Sequence, residues 1–551
     1  MRPFRLFLAF TMALAALTCG SSSPAERAVV PIPPRPASSG WANEWARGAV
    51  FYEVFVRSFQ DSDGDGKGDL AGLVSRLDYL NDGRPETTND LGVDALWLMP
   101  VFRSPSYHGY DTTDYETINP DYGTNVGFQK LLEEAHRRGI RVIVDLVVNH
   151  SGSGHPWFVS SASSPSSPYR DWYVWNPTDP GWKQPWGGNT GTWHGSGDAY
   201  YYGVFWSGMP DLNWRTPALR EEVKRIAGLW LARGVDGFRL DATRYLVENG
   251  AGGGQQDTPE THAALKELAA HVRRSRRDAF LVGENWADTG VIATYYGSRD
   301  VPGGDELPAS FDFPLSDRIL RAVSEGNGAL VASKLDEVAK AYPAGAIDAP
   351  FLTNHDQVRL ATQLGKNAGR LKNAAAVLLT VPGTPFLYYG EELGIQNGTT
   401  GGDESKRTPM PWDGTSSGGF TTGTPWFPYA PGRETANVAA QTGDPASLLS
   451  RYRSLIRVRK EAPALAKGDL VLLSPTSGVT PFLAFLRTTA KETVLVVHNL
   501  SDAFVSAGPF AVSGTSYERL FADTGAADPG GAPGAVRVSM PGRATGIWRV
   551  R

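Results

Sequence analysis

Three acidic residues, each placed just after a short apolar run, are the residues of this chain whose positions most clearly indicate chemistry. Asp241 lies in GFRLDA, Glu284 in FLVGEN and Asp356 in PFLTNHD. Runs of this length and composition are typical of parallel strands buried on both faces. In a closed barrel of such strands the carboxyl ends meet at one mouth, where active sites lie. We therefore expect the three carboxylates to converge.

The neighbours of two of these carboxylates predict different roles for them. Arg239 and Asp241 are two residues apart on one strand, so they share a face. We expect the guanidinium to lower the pKa of Asp241 and to keep it ionised as a nucleophile. Glu284 follows the apolar run FLV, and partial desolvation would raise its pKa to that of a proton donor. A carboxylate nucleophile beside a carboxylic acid is the equipment of retaining glycoside hydrolysis.

Further polar residues end the same runs. Asp145, Asn149 and His150 lie toward the end of the apolar run RVIVDLVVNH, and Asn354 and His355 precede Asp356. A single polar residue at a strand end could serve only as a loop cap. Several of them together, beside an arginine and two histidines, indicate an active site.

The elements that must position these residues form a regular series along the chain. Eight apolar strand candidates span residues 51–59, 93–101, 141–150, 237–242, 280–285, 310–313, 350–356 and 384–389. Between the second and third, Phe128, Leu131, Leu132 and Ala135 have the spacing of one helix face. Eight parallel strands with crossover helices predict an α/β fold, a (β/α)8 TIM barrel.

Two regions depart from this alternation. Residues 151–225 form a long insertion that holds eight of the 16 tryptophans, and an insertion of that length should be a lobe of its own. After a predicted helix at 448–458, the runs LVLLS, PFLAFLR, ETVLVVHNL and VRVSM predict a C-terminal antiparallel β-sandwich at 467–551. The barrel then comprises residues 47–150 and 226–466.

The N-terminal residues predict export. Arg2 and Arg5 precede an apolar run that is short for a membrane span, as in a secretory signal. Residues 1–19 are similar to a bacterial lipoprotein signal, in which Cys19 is lipidated, although Thr18 departs from the usual small residue there. Simple secretion with loss of Cys19 is the alternative. Residues 20–46, which begin with a Ser-, Pro- and Ala-rich stretch, predict a flexible tether.

The overall charge excludes some partners. The formal net charge is −5 and the pI about 6.0, so neither nucleic acid nor an anionic membrane surface is expected as a partner. The only membrane contact that we expect is through the lipid anchor, either on the cell surface or on the outer membrane. We expect a monomer.

The segment DSDGDGKGDL, residues 61–70, has the spacing of a calcium-binding loop. An EF-hand needs a bidentate glutamate at its twelfth position, and that position here is Gly72. A calcium sensor is therefore excluded. The crowded carboxylates still predict a loop that holds a hard cation, because they repel one another unless they are neutralised.

Several motifs together resemble one family. DLVVNH, GFRLDA, VGEN and TNHD, in this order, resemble the four signature regions of the α-amylase family, glycoside hydrolase family thirteen. MPDLN resembles its fifth region, and HGYD, PFLYYGEELG and RTPMPWD are similar to other family segments. The resemblance implies a catalytic barrel, a domain B formed by the insertion and a C-terminal β-sandwich.

The resemblance also implies roles for single residues. Asp241 matches the nucleophile, Glu284 the acid/base, and Asp356 the carboxylate that positions substrate and stabilises the transition state. The expected substrate-binding residues are Tyr110, Asp111, His150, Arg239, Trp286, His355 and Arg407. Tyr110 would place its ring beneath the sugar, because an aromatic face stacks on the apolar face of glucose. Trp286 would form a wall beyond the scissile bond or would only pack.

The loop at 61–69 resembles the structural cation loop of oligo-1,6-glucosidases. By this resemblance a structural Ca²⁺ would bind the carboxylates of Asp61, Asp63, Asp65 and Asp69 and the backbone carbonyl of Lys67. A second family calcium site uses the position of Asn149 and a histidine four residues after the nucleophile. This chain has Tyr245 there, so the second site stays open.

The resemblance leaves the type of family member open between two possibilities. MPDLN mixes oligo-1,6-glucosidase-like and neopullulanase-like patterns, as in exported bacterial α-amylases, which cleave α-1,4 bonds of starch and malto-oligosaccharides. Alternatively, Asp111 could pair with Arg407 and close the cleft, as in an exo-acting α-glucosidase or oligo-1,6-glucosidase. A non-catalytic glycan-binding protein is disfavoured, because all three carboxylates are present.

Overall fold

The computed structural model describes residues 41–551, and eight parallel strands form its central barrel. They are β1 (Phe51–Val54), β2 (Ala95–Leu98), β3 (Arg141–Leu146), β4 (Gly237–Leu240), β5 (Phe280–Gly283), β6 (Ala309–Phe311), β7 (Ile347–Ala349) and β8 (Phe386–Tyr388). Strands β1 to β7 pair side by side in chain order, and β8 pairs with β1. The barrel closes where the amide of Phe386 donates to the carbonyl oxygen of Pro350 at 2.9 Å. The predicted TIM barrel is confirmed.

Helices lie outside the barrel, and all but the last of them fall between barrel strands in the chain. They are Leu70–Ser75, Leu77–Leu80, Asn125–Arg137, Pro217–Ala232, Pro259–Ser275, Thr289–Thr294, Phe313–Glu325, Ala329–Ala341, Leu360–Gln363, Ala368–Thr380 and Leu448–Glu461. The helix Asn125–Arg137 buries the four apolar residues that predicted it and is capped by Thr124, whose hydroxyl accepts the amide of Gly127. The prediction of this helix is confirmed.

The seventh strand differs from its prediction. The sequence predicted residues 350–356, but β7 ends at Ala349. Pro350 follows, and a proline has no backbone N–H with which to extend the strand ladder. Asn354, His355 and Asp356 therefore lie in the loop after β7, where the amide of Asp356 bonds the side chain of Asn354 at 3.0 Å.

The insertion after β3 contains regular structure that the sequence did not predict. It has a helix at Pro156–Ser163 and a three-stranded sheet of Trp175–Asn176, Trp193–Ser196 and Ala199–Tyr202. The predicted boundary at residue 225 divides the barrel helix Pro217–Ala232, so the insertion ends before Pro217. A backbone hydrogen bond of 2.9 Å from Leu212 to Asn149 joins the insertion to the end of β3.

The C-terminal region is the predicted antiparallel domain. Its strands are Asp469–Leu472, Phe482–Thr488, Thr493–Asn499, Val505–Phe510, Tyr517–Ala522, Val536–Met540 and Thr545–Val550. They form a five-stranded and a two-stranded sheet that share one apolar core. Three strands were not predicted, because their sequences are polar or alternate only weakly: Val505–Phe510, Tyr517–Ala522 and Thr545–Val550.

The predicted tether is too long at its C-terminal end. Residues 41–46 pack on the barrel, because Ala46 is fully buried and the indole of Trp45 donates to the carbonyl oxygen of Asp278 at 2.8 Å. The predicted signal peptide and Cys19 lie outside the described residues. Within residues 41–551, every helix is too short or too polar to cross a bilayer.

Candidate active site

Arg239, a fully buried residue of β4, joins two of the predicted catalytic carboxylates. Its Nη1 lies 2.6 Å from Asp241 Oδ1, and its Nη2 lies 2.9 Å from Glu284 Oε2. Asp145 of β3 is a third partner, 2.8 Å from Nη1. Because these residues come from β3, β4 and the segment after β5, the barrel places them together at its C-terminal mouth.

His355 brings Asp356 to the same site. Its Nε2 lies 3.0 Å from Asp356 Oδ2, and its Nδ1 lies 2.6 Å from Glu53 Oε1. The hydroxyl of Tyr110 lies 2.7 Å from His355 Nε2 and 3.1 Å from Asp145 Oδ2. Tyr110 thereby connects the two halves of the site. We call Asp145, Arg239, Asp241, Glu284, His355 and Asp356 the catalytic cluster.

The pKa of Asp241 differs in direction from the sequence prediction. Burial raises it to about 6, although Arg239 opposes this shift, and the charge of Asp145 adds to it. The sequence showed the arginine but not the loss of water around the carboxylate, and the loss of water has the larger effect. Burial also raises the pKa of Glu284, to about 7, as predicted, and the nearby charge of Asp241 contributes.

Asp356 has the opposite electrostatic environment. Burial would raise its pKa, but the charges of His355 and Arg407 outweigh burial and lower it. Burial likewise opposes protonation of His355, but Asp356 and Glu53 outweigh it and raise the pKa of His355 to about 9. At neutral pH the pair is therefore a carboxylate beside an imidazolium, while Glu284 retains a transferable proton.

Arg407 and Asp111 do not form the ion pair that the sequence suggested. Arg407 Nη2 lies 2.9 Å from Asp356 Oδ1, and its Nε donates to the carbonyl oxygen of His355 at 3.1 Å. Asp111 accepts hydrogen bonds from the hydroxyls of Ser104, at 2.5 Å, and Ser106. The two predicted substrate-binding residues thus have separate partners in this structure.

Glu53 is a site residue that sequence reasoning missed. It lies within β1 and is almost fully buried against His355, and burial raises its pKa. Its signal in the sequence was an ionisable residue inside FYEV, a strand with apolar neighbours on both sides. Asp145 had a comparable signal, and its carboxylate also accepts the indole N–H of Trp97 at 3.3 Å.

His150 lines the site as a buried, neutral side chain. Burial lowers its pKa to about 3, partly offset by a hydrogen bond to the backbone of Tyr110. Its ring lies edge-on to Phe205 of the insertion, with centroids 5.3 Å apart. His150 therefore joins the barrel end of the site to the insertion.

Trp286 packs on one face, as one of its two alternatives predicted, and its role as a wall beyond the scissile bond stays a prediction. One face of its ring stacks on Phe313, with centroids 4.6 Å apart, and half of the residue's surface is exposed. Its backbone carbonyl accepts Arg244 Nη1 at 2.5 Å, and Asp257 holds that guanidinium through Nε at 2.9 Å. The tryptophan is thus fixed two residues after Glu284 with its other face open.

The aspartate loop has the donors that a hard cation needs. Asp61, Asp63 and Asp65 bring carboxylate oxygens within 4.8 Å of one another, which fits the oxygen ligands preferred by Ca²⁺. Asp61 also accepts the amides of Gly64 at 2.7 Å and Gly66 at 2.8 Å. Asp69 accepts the amides of Ser62 at 2.7 Å and Gly72 at 2.8 Å, and it is not one of the three converging carboxylates.

Other contacts distinguish the remaining predicted calcium ligands. The Lys67 ammonium lies 2.9 Å from Asp121. This ion pair does not use the backbone carbonyl of Lys67, which is the ligand predicted at this residue. At the second calcium position Asn149 donates to Asp211 at 3.2 Å. Tyr245, the other residue of that position, packs against the rings of Trp186 and Phe205. This second site stays open.

Comparison with known proteins agrees with this geometry. The family model described as the catalytic domain of alpha amylase matches residues 53–468. Alpha-amylase 3 of Dictyoglomus thermophilum is 40% identical over 466 residues, which cover 84% of this chain and 86% of that protein. Oligo-1,6-glucosidase of Parageobacillus thermoglucosidasius is 32% identical over 531 residues, which cover 83% of this chain and 91% of that protein.

Solved structures give the same result. The crystal structure of alpha-amylase from H. orenii superposes with a TM-score of 0.82 and 38% identity, covering 92% of this chain and all of that chain. The strands that carry the catalytic cluster lie within the matched region. The chain therefore belongs to the α-amylase family, glycoside hydrolase family thirteen, and is a glycoside hydrolase.

Proposed function

We propose that this enzyme hydrolyses the α-1,4-glucosidic bonds of starch and malto-oligosaccharides with retention of configuration. The observation that carries the proposal is the contact of one guanidinium, that of Arg239, with both Asp241 and Glu284 at 2.6 and 2.9 Å. A nucleophile and a proton donor held side by side suit the two-step mechanism with a covalent glycosyl-enzyme intermediate.

In the first step Glu284 gives its proton to the glycosidic oxygen while Asp241 attacks the anomeric carbon. The bond to the leaving sugar breaks, and an ester between Asp241 and the glycosyl unit forms. In the second step the Glu284 carboxylate removes a proton from water, which cleaves the ester and releases the sugar. The anionic Asp356 stabilises the positive charge that develops on the sugar ring.

The contacts of Arg407 favour action on internal bonds. Its guanidinium is engaged by Asp356 and by the backbone of His355, so it does not close the cleft together with Asp111. An exo-acting α-glucosidase or oligo-1,6-glucosidase is the second candidate. Asp111 in the motif HGYD and the similarity to a protein named oligo-1,6-glucosidase favour it.

Two further properties belong to this proposal. A structural Ca²⁺ would be held by Asp61, Asp63 and Asp65 and would neutralise the repulsion among their carboxylates.

The N-terminal 19 residues would direct export, with Cys19 as the site of lipidation, and starch outside the cell would then be accessible to the enzyme.

The test is hydrolysis of amylose, with loss of iodine colour followed against the appearance of reducing ends. Rapid loss of colour at few reducing ends is expected, because internal cuts shorten the polymer quickly. Reducing sugar that accumulates while colour persists would reject the α-amylase proposal in favour of the exo-acting enzyme. No reaction of amylose or malto-oligosaccharides would reject both.

A further inference from the structure

A cavity of about 370 Å³ lies at the end of the barrel opposite the catalytic cluster. Its walls are residues of the loop 81–92 before β2, Arg138 and Gly139 before β3, and residues of the helix Leu448–Glu461. The first two segments lead into the N-terminal ends of the strands, whereas the catalytic cluster lies at the C-terminal mouth. Small-molecule sites have volumes of about 300–1,000 Å³. This space, which we call the basal cavity, is therefore large enough for a small ligand.

The lining of the basal cavity is basic, although the whole chain carries a net charge of −5. Among residues 41–551, the charged side chains that line it are Arg84, Arg138, Arg453, Arg457 and Lys460 against Asp90 and Glu461. Arg138 and Lys460 form ion pairs with Asp78 at 2.7 Å and with Asp94 at 2.8 Å. The other three arginines have no carboxylate partner from residue 41 onward. The cavity thus has an excess of positive charge.

Arg453 is the buried member of this basic group. It is 9% exposed, and its Nε is buried without a hydrogen-bond acceptor among the described residues. In the same part of the chain its guanidinium forms no ion pair. Burial lowers the pKa of Arg453, and the more distant Tyr79, Asp90 and Glu392 offset only part of this shift. Because a buried charge without a partner destabilises a fold, this guanidinium is suited to an external anion.

Two further arginines face the same space. Arg457 follows Arg453 by one helical turn, so the two lie on one face of their helix. One terminal nitrogen of Arg457 donates to the carbonyl oxygen of Thr87 at 3.3 Å, and its remaining N–H groups are available to a ligand. Arg84 belongs to the same loop as Thr87. Guanidinium groups from a helix and from the loop beside it therefore border one cavity.

We propose that the basal cavity binds a phosphate group, with Arg453 as its buried anchor and with Arg84 and Arg457 at its rim. A phosphate dianion offers oxygen acceptors to several guanidinium groups at once, and the planar fork of arginine matches their geometry. The volume also admits a phosphate carried on a small molecule. This site is separate from the catalytic cluster and does not depend on the proposed hydrolysis.

The test is calorimetric titration of the full chain with inorganic phosphate. The buffer contains no other oxyanion and no calcium, since calcium phosphate is insoluble, and no glucan is present. The variants are Arg453→Met and Arg457→Gln, with Arg274→Gln as the matched control. Arg274 is an exposed arginine of the helix Pro259–Ser275 and lies outside the cavity lining, so its replacement removes the same charge elsewhere.

A phosphate site in the basal cavity predicts a graded result. The parent protein and Arg274→Gln should bind one phosphate per chain with equal affinity. Arg453→Met should raise the Kd at least about tenfold, as expected for loss of a hydrogen-bonded charge pair. Arg457→Gln should raise it by a smaller factor, because half-exposed charges contribute less. The absence of saturable binding to the parent protein, or unchanged affinity in Arg453→Met, would overturn the site.

Urea unfolding distinguishes a ligand anchor from a structural arginine. Without phosphate, Arg453→Met should be at least as stable as the parent protein, because an apolar side chain of similar length replaces an uncompensated buried charge. Phosphate should stabilise the parent protein but not Arg453→Met. If Arg453→Met does not fold, Arg457→Gln decides. Weaker phosphate binding by that variant would retain the site, and affinity equal to that of the parent would reject it.

Glucose 6-phosphate distinguishes a phosphorylated small molecule from free phosphate. Binding tighter than that of inorganic phosphate, and weakened in Arg453→Met, would assign the cavity to a phosphorylated sugar. Equal or weaker binding that Arg453→Met still reduces would assign it to the phosphate group alone. Binding of both compounds that is the same in Arg453→Met and Arg274→Gln would place them elsewhere on the protein and overturn the proposal.

Discussion

Arg239 forms an ion pair of 2.9 Å with Glu284 through one nitrogen, while its other terminal nitrogen lies 2.6 Å from Asp241. One buried guanidinium therefore sets the relative position of the predicted acid and the predicted nucleophile. The planar fork of arginine suits this arrangement, since its two terminal nitrogens point to different partners at a fixed angle.

Replacing that fork tests its positioning role. In Arg239→Lys, a single ammonium cannot hold both carboxylates in their present positions, so we expect kcat on maltoheptaose to fall at least about 100-fold. Circular dichroism should show a folded protein. Activity within a few-fold of the parent enzyme would contradict the role assigned to Arg239.

The nucleophile can be tested separately from substrate binding. Asp241→Asn removes the attacking carboxylate, and we expect a loss of hydrolysis of at least about 10⁴-fold. Because binding uses other side chains, calorimetry should still detect malto-oligosaccharide. Near-normal hydrolysis by this variant would exclude Asp241 as the nucleophile.

The pKa values of the two carboxyls predict the pH profile. Activity needs Asp241 ionised and Glu284 protonated, and their pKa values are about 6 and about 7. The kcat/KM should therefore fall below pH about 6 and above pH about 7. The two apparent pKa values read from this profile belong to the interacting pair of carboxyls and not to either residue alone.

The Glu284→Gln variant assigns the alkaline limb of that profile. On α-maltosyl fluoride, whose leaving group needs no proton from an acid, the variant should lose this limb while retaining the acid limb. An alkaline limb that persists in Glu284→Gln would assign it to another group.

The aspartate loop predicts stabilisation by calcium. Chelation should lower Tm, because a cation that binds only the folded state at 100 times its Kd contributes about 2.7 kcal/mol. Asp65→Asn should remove this sensitivity, since Asp65 belongs to the converging carboxylates.

Asp69→Ala is the matched control for the calcium prediction. Asp69 caps the helix Leu70–Ser75, so the variant should cost about 1 kcal/mol through the lost cap yet retain the response to calcium. Equal Tm with and without chelator in the parent protein would reject the metal site. Loss of the response in Asp69→Ala would instead make Asp69 a ligand.

His498 predicts how the stability depends on acid. It lies fully buried between Thr380 of the barrel and Thr545 of the C-terminal domain, at 3.0 and 2.9 Å, and burial lowers its pKa to about 3. An unfolded histidine titrates near pH about 6.5, so between these values the unfolded state binds the extra proton. The free energy of unfolding should therefore fall as the pH decreases below about 6.5.

Urea unfolding of His498→Gln measures this contribution. Between pH 4 and 6 the slope of unfolding free energy against pH should be smaller than in the parent protein, by up to about 1.4 kcal/mol per pH unit. At pH 8, where histidines are neutral, the unfolding free energies of the two proteins should differ only by the packing cost of the substitution. Equal slopes would exclude His498 as a source of acid sensitivity.

The barrel and its catalytic carboxylates were predictable because both depend on local patterns. Each of Asp241 and Glu284 follows an apolar strand, and the fold brings such strand ends together. The end of β7 was not predictable from apolar character alone, because Pro350 stops the strand while the apolar run continues. Glu53 escaped notice because its partner His355 is 302 residues away.

The sequence by itself determined the fold class, the family and the order of the carboxylates along the barrel. These follow from residue type and short-range spacing, which backbone geometry converts into position. Only the tertiary structure decided that Arg407 holds Asp356, that burial outweighs Arg239 at Asp241, and that Trp186 stands on Phe205 and Tyr245. Which groups a charged side chain pairs with, and how far it is shielded from water, depend on side chains from distant segments. Those segments come together only in the folded chain.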